Sequence, residues 1–179
     1  MQSDNWAKRA KDEGYRSRAV FKLQEIIKKT KLKKISNVLD LGSAPGGWSQ
    51  LIIKNYPNSK VFAIDILDME KIDGVNFFQI SIEKIEEIED IYSLISDIAP
   101  NLTGISAVDS ENVLNLNHLT INTAHKFLDK GGTLIMKTFQ NNNLKSLRKN
   151  MELSFKLVQT YKPAASKKQS GEIYLYGVK

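Results

Sequence analysis

Apolar and polar positions recur in a fixed order along the chain: short apolar runs stopped by Gly, Asp or Ser, then longer amphipathic stretches. Residues 17–29 (SRAVFKLQEIIKK) set Ala19, Val20, Leu23, Ile26 and Ile27 at helical spacing with cations between them, which predicts a helix capped by Ser17. NVLDLG predicts a buried strand ending near Leu41, and SAPGGW turns the chain into a helix, WSQLIIKNY. KVFAID and VNFFQI read as the second and third strands, IEKIEEIED as a short acidic helix, and YSLISD as the fourth strand. SENVLNLNHLTINTAHKFLDKGG predicts a long helix with a glycine stop. TLIMKTF is a fifth strand, NLKSLRKNMEL another helix, and FKLVQTY and EIYLYGV close the series as two strands.

Strands alternating with helices imply an α/β fold with a mostly parallel sheet of seven strands and helices on both faces. The last two strands, joined by a loop alone, imply a C-terminal antiparallel hairpin. Ligands of such sheets sit beyond the carboxyl ends of the strands, near the point where strand order reverses. The residues placed there are Asp40–Trp48, Asp65–Asp68, Ser81, Asp97–Asn101 and Lys137–Gln140.

The segment Asp40-Leu41-Gly42-Ser43-Ala44-Pro45-Gly46-Gly47-Trp48 follows the first strand and opens a helix. Glycines let backbone approach a ligand, and the helix start offers free N–H groups. Ala44 stands where a dinucleotide fingerprint has its second glycine, and no Gly-Lys-Ser/Thr of a P-loop occurs. Pro45 removes a donor, which disfavours a phosphate cradle. Asp65 ends the second strand 23 residues after Gly42, where an acid commonly holds ribose hydroxyls. The combination points to an adenosine ligand without a diphosphate, and S-adenosylmethionine fits.

Charge and composition narrow the picture. The net charge is +6, and residues 1–34 hold 11 Lys/Arg against four Asp/Glu, so the excess lies at one end. A concentrated basic segment is a footprint of polyanion binding, although a solvated lysine-rich helix gives the same count. Residues 1–34 read as a basic arm and helix, and 35–179 as the cofactor-binding unit of one domain. There is no cysteine, and the two histidines, His118 and His125, share one stretch, so no protein-bound metal is expected. No apolar run approaches the roughly 20 residues that span a bilayer, and the polar, basic N-terminus does not read as a secretory signal, so a cytoplasmic location is expected. Lys137 is the position hardest to explain as surface charge. A lysine between Ile135-Met136 and Thr138-Phe139 in a central strand needs a partner or a cavity.

The segments GYRSRAVFKL, VLDLGSAPGGWSQ, AIDILDM, SDIAPNLTG, GGTLIMKTFQ and GEIYLYGV, in this order, resemble the FtsJ-type family of RNA 2′-O-ribose methyltransferases. Within it the chain is most similar to the bacterial enzymes that act on large-subunit ribosomal RNA. The resemblance implies a Rossmann-like class I methyltransferase fold, S-adenosylmethionine as cofactor, and a catalytic Lys-Asp-Lys-Glu tetrad at Lys22, Asp97, Lys137 and Glu172. It implies cofactor contacts at Gly46, Trp48, Asp65 and Asp97. Asp40, Gly42, Ala44, Pro45, Gly47, Ile66, Ser81 and Ile82 complete the expected cofactor set. The family commonly carries an aspartate where Ser81 stands, and the segment from Ser81 to Asp97 is shorter than usual. The implied substrate is a uridine of 23S-type ribosomal RNA in the assembled subunit, met by a monomer. RNA contacts are expected from Lys8, Arg9, Lys11, Arg16, Arg18, Lys167 and Lys168, with Lys162 beside them and Trp6 and Tyr15 available to stack on bases. Methylation of transfer RNA or an mRNA cap, a non-catalytic RNA-binding assembly factor, and a dinucleotide-dependent dehydrogenase are the competing readings.

Overall fold

The computed structural model describes residues 5–32, 35–167 and 169–179. The short apolar runs become strands because they can be covered on both faces. β1 (Val38–Leu41) is buried at every position, and β4 (Ile91–Ser96) at every position but Tyr92. With β2 (Val61–Asp65), β3 (Val75–Gln79), β5 (Leu128–Phe139), β6 (Leu157–Tyr161) and β7 (Glu172–Val178), they form one sheet in the order β3-β2-β1-β4-β5-β7-β6. The pairs β1–β2, β1–β4, β2–β3 and β4–β5 are parallel, and β7 runs antiparallel to both β5 and β6. The C-terminal hairpin is therefore folded back, with β7 inserted between β5 and β6.

Side chains of one strand point alternately to opposite faces, so parity along each strand assigns residues to two cores. Leu39, Leu41, Leu94, Leu134, Met136 and Leu175 pack under α4 (Ser106–Phe127) and α5 (Leu144–Glu152). Val38, Ile95, Ile135, Tyr174 and Tyr176 pack under α1 (Asn5–Asp12), α2 (Val20–Thr30) and α3 (Gly47–Asn55). Strand order reverses between β1 and β4, which opens a crevice at their carboxyl ends.

Four local expectations are corrected. Ser17 does not cap α2: the cap position is Ala19, and the Ser17 hydroxyl instead accepts the Ala19 N–H at 3.1 Å. Residues 5–12 form a helix, α1, whose Ala10 is buried in the second core. The acidic segment is not a helix beyond a 3-10 turn at Ile82–Lys84. It must lead from the edge strand β3 past β2 and β1 to β4, and extended chain covers about 3.3 Å per residue against 1.5 Å in a helix. Finally, α4 stops at Phe127 rather than at the glycines. Gly131 N–H donates to Lys179 O and Lys179 N–H to Gly132 O, which draws this stretch into the sheet. The Lys179 ammonium then donates to the carbonyls of His125 (2.9 Å) and Leu128 (2.6 Å), a cation placed at the negative end of α4.

Candidate active site

A cavity of about 470 Å³ opens beyond the carboxyl ends of β1, β2 and β4, within the ordinary range for small-ligand sites. Of the expected cofactor set, Gly42, Ala44, Asp65, Ile66, Ser81, Ile82 and Asp97 line it. Gly42 sits at φ +72°, and a Cβ there would fall 2.7 Å from Ile98 Cα, so glycine is what lets the end of β1 pass the segment after β4. Asp65 bridges two walls: one carboxylate oxygen accepts the Ala44 N–H at 2.9 Å and the other the Leu67 N–H at 2.9 Å.

The remaining residues of that set sit outside the lining. Asp40 follows Val38 in parity and is buried beneath the loop, where the Ser49 hydroxyl donates to it at 2.7 Å. Burial pushes its pKa up to about 7; the Ser49 hydrogen bond opposes this and the Asp97 and Asp65 carboxylates add to it. Pro45 is exposed, its carbonyl turned to Arg16 at 3.2 Å. Gly46 and Gly47 are buried against Ile72, Met69 and Ser17. Trp48 donates from Nε1 to Ala19 O at 2.8 Å, and its ring lies 5.9 Å from that of Tyr174.

The expected tetrad converges on the α1–α3 side of the sheet. Parity with Ile135 turns Lys137 that way, and parity with Ile95 and Tyr174 does the same for Asp97 and Glu172. Lys22 comes down from α2. Lys137 Nζ lies 3.1 Å from Asp97 Oδ1 and also donates to the Asp97 carbonyl. Lys22 Nζ lies 2.8 and 3.0 Å from the two oxygens of Glu172. All four side chains are largely enclosed, from 9% exposed for each lysine to 20% for Asp97. Two cations and two carboxylates are thus paired in a desolvated cluster, and Asp97 belongs to both the cluster and the cavity wall.

Tyr174 and Ser166 complete the cluster, and sequence reasoning missed both. The Tyr174 hydroxyl donates to Asp97 Oδ1 at 2.6 Å, and that of Ser166 to Glu172 Oε1 at 2.7 Å. Tyr174 pairs with Lys137 across β5–β7, and the Lys22 ammonium sits 6.0 Å from its ring centre. Its signal was the i, i+2 spacing from Glu172 in EIYLYG; Ser166 offered none. Burial opposes ionisation of Glu172, but the Lys22 hydrogen bond and charge, the Ser166 hydroxyl and the Lys137 charge together hold its pKa below the usual value. Burial, then the Asp97 and Glu172 carboxylates, raises the Tyr174 phenol well above its ordinary value.

Among the expected RNA contacts, Lys8 and Lys11 are exposed on α1 and Lys167 on the loop before β7. Arg9 pairs with Glu13 at 2.6 Å and lies 4.4 Å from the Phe21 ring centre. Arg18 is half-buried. Arg16 is turned inward onto backbone carbonyls. Lys162 donates to Ser170 O at 2.5 Å. Lys168 lies outside the described residues. Trp6 and Tyr15 both pack on Phe21, at 5.3 and 6.2 Å between ring centres, so they dock α1 onto α2. Among the described residues no cluster of His, Asp or Glu is arranged to hold a metal, and no helix is long and apolar enough to cross a membrane.

Residues 15–179 match the FtsJ-like methyltransferase family. The chain belongs to that family. A ribosomal RNA large subunit methyltransferase E from Nitrosomonas eutropha is 37% identical over 187 residues, covering 98% of this chain and 91% of its own. The protein of the same name from Coxiella burnetii is 42% identical over 190 residues, with 97% and 89% covered. A solved structure described as a ribosomal RNA methyltransferase from Plasmodium falciparum superposes with a TM-score of 0.80 at 31% identity, covering 92% of this chain and 97% of that one. The FtsJ-like match takes in the cavity and all four tetrad positions; α1 precedes it.

Proposed function

We propose that the protein transfers the methyl group of S-adenosylmethionine to the ribose 2′-hydroxyl of a uridine in large-subunit ribosomal RNA, acting on the assembled subunit. The observation that carries this reading is the convergence of Lys22, Asp97, Lys137 and Glu172 beside a cavity whose wall includes Asp97. The substrate follows from the relatives, which are named for large-subunit ribosomal RNA.

The residues present fit the cofactor. Each oxygen of Asp65 accepts one N–H and keeps a lone pair for a ribose hydroxyl. The buried Ser43 hydroxyl, next to the lining residues Gly42 and Ala44, has no protein partner among the described residues. Gly42, Ala44, Asp65, Ile66, Ser81, Ile82 and Asp97 would hold S-adenosylmethionine, which supplies a methyl group activated by its sulfonium charge. The chain's own task is alignment and handling of the hydroxyl proton. Lys137 Nζ meets the 2′-hydroxyl: as the neutral amine it takes the hydroxyl proton while the oxygen attacks the methyl group, and as the ammonium so formed it steadies the negative charge developing on that oxygen. Asp97, fixed by the Tyr174 hydroxyl, orients the Lys137 side chain. Lys22 and Glu172 hold the ribose side of the cluster and set its field. The exposed Lys8, Lys11 and Lys167 meet phosphates.

The test is methyl transfer from radiolabelled S-adenosylmethionine to undermethylated large subunits, with naked ribosomal RNA, transfer RNA and Lys137→Ala alongside. Alkali-resistant label in subunit RNA, lost in Lys137→Ala, is the expected result. A folded, cofactor-binding protein that labels no RNA would leave a binding protein in its place.

A further inference from the structure

We propose that Arg16 is a positioning residue for cofactor binding: it ties the two loops that wall the cavity together from behind. This rests on the S-adenosylmethionine reading and deepens it. Arg16 stands in the basic N-terminal stretch, where charge alone suggests a phosphate contact. Its side chain is only 22% exposed, and three of its five N–H donors are spent on backbone carbonyls. Nη1 donates to Pro45 O at 3.2 Å and to Glu70 O at 2.6 Å, and Nη2 donates to Lys71 O at 2.8 Å. Pro45 belongs to the loop between β1 and α3, while Glu70 and Lys71 belong to the segment after β2.

The same two segments are joined on the cavity side by Asp65, through Ala44 and Leu67. Asp65 and Arg16 thus clamp one pair of loops from opposite sides, the anion on backbone N–H groups and the cation on backbone C=O groups. The fit is close. A Cβ on Gly46, at φ +105°, would lie 2.5 Å from Ile72 Cδ1 and 3.4 Å from Arg16 Nη1. The backbone of Arg16 is itself held, since its N–H donates to Gln50 Oε1 at 2.9 Å and a Cβ on Gly47 would fall 3.0 Å from Ser17 Cβ. The Glu70 carboxylate, 3.9 Å away and 93% exposed, adds little. An ammonium also has three donors, but all on one nitrogen; the guanidinium spreads its donors over two terminal nitrogens in a rigid plane, which matches carbonyls held on two separate loops.

The experiment is calorimetric titration of S-adenosylhomocysteine into the wild type, Arg16→Ala, Arg16→Lys and Gln50→Ala. Ligand-free thermal midpoints and the salt dependence of RNA binding are measured on the same samples. A hydrogen bond from a charged donor is worth roughly tenfold in an equilibrium. Arg16→Ala is expected to raise the dissociation constant about tenfold or more, Arg16→Lys to recover part of that, and Gln50→Ala to weaken binding less. In turnover, KM for the methyl donor rises more than kcat falls, and the slope of RNA affinity against salt stays at the wild-type value. If Arg16→Ala binds the ligand normally but loses RNA affinity with a slope lower by about 1, Arg16 is a phosphate contact and the proposal is overturned. A lower thermal midpoint with unchanged ligand affinity also overturns it. Should Arg16→Ala not fold, Arg16→Lys and Gln50→Ala decide between the same outcomes. A wild type that binds no S-adenosylhomocysteine overturns the cofactor reading itself.

Discussion

Two buried polar residues act on the site without touching the cavity, and each has a measurable signature. Asp40 titrates near 7 when folded and near 3.8 as a free carboxyl. Between those values the unfolded chain releases a proton that the folded chain keeps, so this group's contribution to stability falls as pH rises from about 4 to 7. Asn in its place still accepts the Ser49 hydroxyl but does not ionise. The unfolding free energy of Asp40→Asn minus that of the wild type is therefore expected to grow by a few kcal/mol over this window, measured by urea unfolding at several pH values. A difference independent of pH would mean that Asp40 ionises normally. Asn117, in the middle of α4, is 2% exposed. Its Nδ2 donates to Lys137 O at 2.8 Å and its Oδ1 accepts the Thr138 hydroxyl at 2.7 Å, which pins the strand that carries Lys137 to the helix. Asn117→Ala leaves that hydroxyl buried and unpaired, at a cost of about 2 kcal/mol in denaturant unfolding. Asn117→Leu with Thr138→Val, which removes both partners, is expected to regain part of the loss.

At the scale of elements, the turn between β1 and α3 is the least replaceable piece. Gly42→Ala forces an L side chain into positive φ and drives a Cβ to 2.7 Å from Ile98 Cα. The backbone conformation alone costs about 1–3 kcal/mol. The variant is therefore expected to lose at least that in thermal or urea unfolding and to bind S-adenosylhomocysteine more weakly, since Ile98 lines the same cavity. Wild-type stability and affinity would show that the two segments can part freely. What was legible in the sequence follows the same physics. The buried strands β1, β2 and β4 announce themselves because a parallel strand covered on both faces needs a nearly continuous apolar run, which Asp40 in β1 and Ser93 in β4 interrupt only singly. The segment with Ile82, Ile85, Ile88 and Ile91 misled because three-residue spacing imitates a helix; those side chains enter the first core from a largely extended chain. The tetrad was legible only through its resemblance to the family, since Lys22 and Glu172 lie 150 residues apart and no local pattern pairs them. Tyr174 was hidden because a tyrosine in a buried strand reads as core, and Arg16 because the sequence shows a cation but not the carbonyls it faces.

For the whole molecule, the proposed function divides the work of binding RNA between a basic surface and the nearly neutral cluster of Lys22, Asp97, Lys137 and Glu172. The tetrad pairs its charges, Lys22 with Glu172 and Lys137 with Asp97, so it adds little net attraction. The +6 excess originates in residues 1–34. There Arg9 is paired with Glu13 and Arg16 is committed to carbonyls, while Lys8 and Lys11 stand exposed on α1. α1 in turn is seated on α2 through Trp6 and Phe21, and α2 carries Lys22. On the proposed 2′-O-methylation, a phosphate bound at α1 would be held at a fixed position relative to the cluster, turning a sequence-independent contact into alignment of the ribose. Replacing Lys8 and Lys11 with Ala is expected to weaken RNA binding alike for all sequences. The slope of log affinity against log salt should fall by about 2 if both lysines meet phosphates. S-adenosylhomocysteine affinity should stay at the wild-type value, because neither residue touches the cavity walls. Salt titration of RNA binding beside calorimetry of the cofactor reads both numbers. An unchanged slope would move the RNA path away from α1 and toward the loop that carries Lys167.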